Sequence, residues 1–313
     1  MLHVVPDRKQ LFATVDEMSR VEAARFFVSG TRYPRFLYKF VRGDRLDALT
    51  GFVVSSTVWL SSTLDFNDPF DLRANIHLVG NLNDKVSFVA GRLRKLEANF
   101  ANHPDKARAR AADLVATGAY LSAMQQTFET EASSFGIACF ASARPPGVQK
   151  TGARDILMWS HYALDHKGLC LQFHTRRSPS FFASTRPVEY KDELISINWR
   201  DRVARGEQIF AALYRKSPVW AHENEYRLSL PSRSRTVEPF RPEALVGIVF
   251  GCRAKPELVD TVTDLCAQRG RAGLSSIRLF RACQATTSYR LRIKRARDLE
   301  ARCGHSTTSG AHE

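Results

Sequence analysis

The apolar residues of this chain come in short runs divided by turns and by helix-period segments. No window approaches the ~18 uninterrupted apolar residues that a membrane-spanning helix requires. FLYKF (36–40), GIACFA (136–141), LCLQF (169–173) and LVGIVFG (245–251) read as strands, as do the alternating VVSSTVWLSS (53–62), YRLSL (226–230) and VEY (188–190). Two more strands are expected near 275–281 and 287–294. Helical spacing marks 16–28, 158–166, 198–215 and Pro256 to about Gln268, and GDRLDALTG (43–51) reads as a short helix closed by Gly51. Strands and helices interleave without a regular βαβ period. The expectation is therefore an α+β fold, a mixed, largely antiparallel sheet with flanking helices and an inserted helical hairpin. That hairpin is residues 80–131, rich in Ala, Lys and Arg and broken at His103-Pro104. The expected organisation is an N-terminal helical segment (1–35), one α+β domain (36–300) and a disordered tail (301–313).

Composition narrows the class. Hydrophobic residues make up 44% and charged residues 25% of the 313, the balance of a globular protein. The first twenty residues carry charge where a signal peptide would have its apolar core. The six cysteines (139, 170, 252, 266, 283, 303) show no CxxC, so they read as thiols of a cytoplasmic protein, not a disulfide frame or a zinc site. The net charge is +14, and nine arginines fall within 269–302. Such a stripe suits a nucleic-acid partner through phosphate, or equally a solubilising terminal strand pair.

Three motifs concentrate chemistry. DFNDPFD sets Asp65, Asn67, Asp68 and Asp71 on one loop, where their oxygens could hold a cation, orient a ribose or simply close turns. In MWSHYALDHKG, helical spacing puts His161 and Asp165 on one face, with Trp159 and Tyr162 on others; without HExxH, no metal site is expected. His161 and Tyr162 would hydrogen-bond a substrate, or the helix is only pinned by a buried Trp159. In HENEYR, an extended backbone would project Glu223, Glu225 and Arg227 to one side, as an ion-paired cluster or as a catalytic carboxylate held by arginine. Lys216 and Trp220 lie just upstream, and an aromatic beside carboxylates suits a ring-shaped ligand. Cys139 and Cys170 sit in apolar strands and read as packing. No phosphate loop, GxGxxG, GxSxG or kinase set is present.

Taken in order, LYKF (37–40), WLSS…DFNDPFD (59–71), GIACFA, MWSHYALDHKGLCLQF (158–173), VEY and KSPVWAHENEYRL (216–228) resemble the bacterial domain of unknown function 2971 (DUF2971) family over roughly 36–255. Asp71 stands where that family often has Glu. The family name implies no activity. The order of parts also looks like the layout of NAD-using ADP-ribosyltransferases. That analogy makes Tyr38 or Lys39 the NAD grip, Ser61 and Ser62 the small hydroxyl residues of the second strand, and Glu225 or Glu223 the catalytic carboxylate, with a nucleic acid or protein as target. A second reading is a nucleic-acid-binding protein or Mg²⁺-dependent nuclease of a defence or toxin system, with Asp68, Asp71, Glu223 and Glu225 on the metal. A third is a non-catalytic interaction protein. The catalytic readings share one expectation: Lys39, Asp68, His161 and Glu225 meet in one cleft.

Overall fold

The structure is a computed structural model and describes residues 34–143 and 152–303. The helix expected at 16–28 lies outside the described residues. The described residues pack as two compact units, 34–61 with 136–143, 152–188 and 219–303, and 62–135 with 189–218.

The first unit is built on one eight-stranded sheet. Its strands in chain order are β1 (Phe36–Val41), β2 (Gly136–Ser142), β3 (Leu169–His174), β4 (Thr185–Pro187), β5 (Glu225–Leu230), β6 (Leu245–Phe250), β7 (Arg278–Gln284) and β8 (Leu291–Arg295). Across the sheet they run β8-β7-β6-β3-β1-β2-β5-β4. Every neighbouring pair is antiparallel except β6–β7, which the helix Pro256–Arg271 connects as a parallel crossover. The expected mixed, largely antiparallel sheet is what forms.

Alternation divides the sheet's side chains between two apolar layers. Leu37, Phe140, Leu169, Leu171, Phe173, Leu228 and Ile248 belong to one buried cluster, completed by Val259, Val262 and Leu265 of the crossover helix. Phe40, Ala141, Cys170 and Val249 face the other way and pack with Met158 and Trp159 of the helix Ile156–Tyr162. That helix is started by Asp155, whose Oδ1 accepts from the backbone N–H of Leu157 and Met158.

Helix Ile156–Tyr162 is shorter than its pattern predicts. Leu164, Asp165 and His166 all adopt positive φ (48°, 52° and 68°), a left-handed turn that costs roughly 1–2 kcal/mol per non-glycine residue. It is held from outside. The His166 carbonyl accepts the Arg253 N–H, the Arg253 guanidinium donates to the Asp165 carbonyl, and the Gly251 N–H reaches Gly168. A Cβ on Gly251 would lie 2.0 Å from the His166 carbonyl oxygen, so only glycine fits there. His161 and Asp165 consequently do not share a helix face.

Other boundaries also move. Gly51 does not close the helix Leu46–Thr50; the chain continues as a π-turn, Gly51–Ser55, before the strand Thr57–Leu60. The C-terminal helix Arg297–Arg302 and the buried Cys303 occupy what reads as the start of a disordered tail, whose residues 304–313 lie outside the described ones.

The second unit carries the helical region: Leu82–Leu96, Ala98–Ala101, Pro104–Ala116 and Ala119–Ser133, joined by Arg202–Ala212 from the later segment. Asn81 and Asp84 form a reciprocal cap on the first helix. Val86, Val89, Ala107, Ala111, Phe128, Ile197 and Trp199 form its core. Two short parallel strand pairs, Ala74–His77 with Ile195–Asn198 and Glu189–Tyr190 with Arg215–Lys216, complete it.

The π-turn is fixed to the crossover helix by Arg269, which is 1% exposed. Its guanidinium donates to the carbonyls of Val53, Pro242 and Ser275 and to the hydroxyls of Ser56 and Ser275. Replacing it strands those acceptors in the core. Arg269→Met is expected to destabilise the first unit by about 3 kcal/mol, read as a lower urea midpoint, and Arg269→Lys to recover little because an ammonium lacks the fork. An unchanged midpoint in both variants would show that these bonds contribute nothing net.

Candidate active site

The register of the sheet places one row of side chains on the face covered by helix Ile156–Tyr162. Glu225 pairs with Ala141, Ala141 with Tyr38, Tyr38 with Gln172 and Gln172 with Gly247. The next row holds Arg227 opposite Cys139, and Phe40 opposite Cys170. Directly paired residues in an antiparallel sheet lie on the same face. Glu225, Arg227 and Tyr38 therefore share that face.

Arg227 closes on Glu225 with two hydrogen bonds, Nε to Oε1 at 2.8 Å and Nη2 to Oε2 at 3.0 Å. They are 0% and 5% exposed. The bidentate geometry offsets much of the desolvation cost of burying this guanidinium and carboxylate together. The Cys139 thiol beside them is pushed up, chiefly by burial and then by the Glu225 charge.

Glu223 does not continue the period-two pattern. It ends a 3₁₀ turn, Pro218–Glu223, and Asn224 follows with φ +45°, so the chain swivels before β5 begins. The swivel is clamped: the Asn224 amide donates to the carbonyl and hydroxyl of Ser142, and the Ser142 N–H donates to the Asn224 carbonyl. Glu223, 3% exposed, thereby meets helix Ile156–Tyr162, where the Tyr162 hydroxyl donates to its Oε1 at 2.5 Å. Burial, and then the Glu223 charge, push the Tyr162 phenol far above its ordinary value, so it stays protonated.

Rings gather beside this pair. His161 lies edge-on to Trp220 at 5.9 Å and 6.3 Å from both His222 and Tyr162. Trp220 and His222 are 6.0 Å apart. His161 is exposed and the other three rings are half-buried. The cluster offers planar, partly wet surfaces next to a buried carboxylate.

The other sequence candidates take different places. Lys39 falls on the opposite, Leu37 face, where its Nζ donates to the Cys139 carbonyl and lies 5.5 Å from the Phe140 ring centre. Burial lowers its pKa. It packs among the core residues of that face, held by a backbone carbonyl and a ring. Tyr38 stays on the site's face, but Gly152 packs against its ring and Gln172 donates to its hydroxyl. Trp159 is fully buried, donates to the Ala153 carbonyl at 2.9 Å and stands edge-on to Phe40, which makes it an anchor.

The 62–71 loop belongs to the second unit, and Asp65 and one oxygen of Asp68 are used locally, while Asp68 Oδ2 is buried without a hydrogen-bond partner among the described residues. Ser62 and Asp65 form a reciprocal cap, and Ser62 also donates to the Ser133 carbonyl. Ser61, in the first unit, exchanges backbone bonds with Ile137. Asp68 accepts the Phe70 N–H through Oδ1, and Asn67 is exposed. Asp71 is buried 3.8 Å from Lys216. Among the described residues, no group of three or more His, Cys, Asp or Glu side chains is placed to hold a metal ion.

Much of the arginine stripe serves the fold. Arg269 is internal, Arg295 pairs with Glu300, Arg302 with Asp260 and Arg281 with Asp298. Arg281, Arg292 and Lys294 nonetheless line one exposed face of the edge pair β7–β8. Charges there also protect an open sheet edge.

Sequence reasoning missed the Asn224–Ser142 clamp and the Tyr162–Glu223 contact. A non-glycine left-handed residue between two glutamates leaves only a faint trace, in Asn's tolerance for that conformation.

Residues 158–228 match the model of a family described as a protein of unknown function (DUF2971). The matched segment runs from helix Ile156–Tyr162 into β5 and contains both members of the Tyr162–Glu223 and Glu225–Arg227 pairs. No curated protein and no solved structure matches the chain. No helix among the described residues is long and apolar enough to cross a membrane.

Two outcomes follow from the geometry. Arg227→Met is expected to cost about 3–5 kcal/mol of stability, because it takes the bidentate guanidinium away from a buried carboxylate; Glu225→Leu with Arg227→Met should recover much of that loss. Equal destabilisation by single and double variants in urea unfolding would contradict this. For Tyr162, the pKa of the folded phenol lies above the ordinary tyrosine value. Its contribution to stability is full below that value and is lost at higher pH, where the unfolded chain alone releases the proton. Tyr162→Phe should flatten the alkaline fall in thermal midpoint; an identical fall in both proteins would refute the shift.

Proposed function

We propose that this protein is an enzyme of ADP-ribosyltransferase type, which breaks the nicotinamide–ribose bond of NAD and passes the ribosyl carbon to an acceptor. The observation that carries the reading is the Tyr162–Glu223 pair beside the His161, Trp220 and His222 rings. Glu223 is the reactive carboxylate in this reading, because its Oε1 meets the Tyr162 hydroxyl at the edge of that ring cluster.

The chemistry asks for three things. The C1′–N bond breaks with its electron pair leaving on nicotinamide, which departs neutral and needs no acid. Positive charge develops on the ribose, and a fixed carboxylate stabilises it most strongly where water is excluded. The acceptor then bonds to C1′ and loses a proton, which Glu223 can take. Tyr162 keeps Glu223 oriented, and the rings supply stacking surfaces for a planar base. Tyr38 lies on the sheet face that carries Glu225, one strand away from it, whereas Lys39 lies on the opposite face. The exposed Arg281, Arg292 and Lys294 row favours a polyanionic acceptor such as nucleic acid.

Incubation of the whole chain with NAD and nucleic acid is expected to release nicotinamide and label the acceptor. Glu223→Gln should slow turnover by about 10²–10³-fold, the scale of losing one preorganised electrostatic group. Tyr162→Phe should slow it by much less while leaving NAD binding in place. No NAD binding by calorimetry and no nicotinamide release by the unaltered protein would remove the proposal.

A further inference from the structure

The crossover helix and the C-terminal helix bring two cysteines together at the far side of the first unit's core. Cys266 is 1% exposed and Cys303 6%, both within the same buried cluster. The Cys303 sulfur lies 3.6 Å from the carbonyl of Thr263, one turn before Cys266, and 3.3 Å from the carbonyl of Leu299. Both sulfurs therefore sit against the same stretch of the crossover helix. Both are free thiols.

The two thiols are not equivalent. Their direct interaction draws Cys303 down, helped by the charge of Arg302, and pushes Cys266 up, since one proton is easier to remove than two. Cys303 is also the more exposed of the two, so attack on an oxidant falls to its sulfur. Cys266 is then the neighbour placed to finish the reaction.

We propose that Cys266 and Cys303 form a peroxide-responsive thiol pair, which closes to an intramolecular disulfide joining the crossover helix to the C-terminal helix. Cys303 thiolate attacks one peroxide oxygen, the O–O bond breaks, and the leaving oxygen departs as water after taking a proton. The resulting sulfenic acid is attacked by the Cys266 sulfur; the S–S bond forms, the S–O bond breaks and a second water leaves. Two thiols and one hydrogen peroxide thus give one disulfide and two waters. Dithiols restore the pair by exchange.

The cross-link has a structural target. Glu300, on the C-terminal helix, accepts the Leu279 N–H of β7 and pairs with Arg295 of β8. Tying that helix down fixes the edge of the sheet on which Arg281, Arg292 and Lys294 lie. This inference does not depend on the proposed transferase activity, and its readout is chemical.

The full chain is treated with an equimolar amount of hydrogen peroxide, its remaining thiols are blocked under denaturing conditions, and peptides are mapped without reductant. A Cys266–Cys303 peptide lighter by two hydrogens, lost on adding dithiothreitol, is the expected result. The oxidised protein should also melt at a higher temperature than the reduced one. In Cys266→Ser, dimedone should label Cys303; in Cys303→Ser, Cys266 should stay unlabelled. Unmodified thiols, a different pairing, direct passage to sulfinic acid or preferential labelling of Cys266 would each overturn the proposal. The mapping on the unaltered chain decides the matter even if either variant folds poorly.

Discussion

A guanidinium with no exposure to water survives inside a sheet only if its charge and its donors are met at once. For Arg227, Glu225, two residues earlier on the same strand, supplies the opposite charge and accepts two of the five donors. The pair constrains what surrounds it. It commits the odd-numbered residues at the start of β5 to the face covered by helix Ile156–Tyr162, and it fixes where the extended strand must begin. Asn224 then turns left-handed, and Glu223 is delivered to Tyr162 instead of lining up with Glu225. Two carboxylates so close in sequence meet different elements, one the arginine of its own strand and the other a tyrosine hydroxyl on a helix.

Elsewhere the same unit solves the burial of charge differently. Arg269 distributes its donors over three carbonyls and two hydroxyls, without a carboxylate among its hydrogen-bond partners. Lys39 relies on one carbonyl and a ring face. These groups lock segments distant in sequence: Arg269 ties the π-turn to the crossover helix, and Lys39 ties β1 to β2. Such polar ties specify one arrangement where apolar packing alone would accept several.

The strands were legible wherever an apolar run was bounded by turn residues, as in 169–173 and 245–251, because burial on both faces leaves little ambiguity of period. Asp65, Asn67 and Asp68 carried a turn signature, and closing turns is what Asp65 and Asp68 do. Lys39 was misleading: alternation alone sends it to the face opposite Glu225, but the sequence does not say which residues of distant strands stand opposite one another. The shortened helix after Tyr162 was hidden for a related reason. Leu164, Asp165 and His166 have no local preference for left-handed backbone; Arg253 and Gly251, nearly ninety residues away, impose it. The Tyr162–Glu223 contact likewise depends on a clamp from Ser142 that no local window contains.

The position of β1 in the sheet has a bearing on how the chain is made. Its neighbours are β2 and β3, and the Lys39 tie alone spans 100 residues. A nascent chain therefore emits an apolar, strand-prone segment long before either flanking strand has left the ribosome. For that interval FLYKF has no lateral partner, a state that favours self-association or capture by a chaperone. Synthesis from the N-terminus builds the middle of this sheet from its first and its much later strands, so the order of emergence and the order of assembly run against each other.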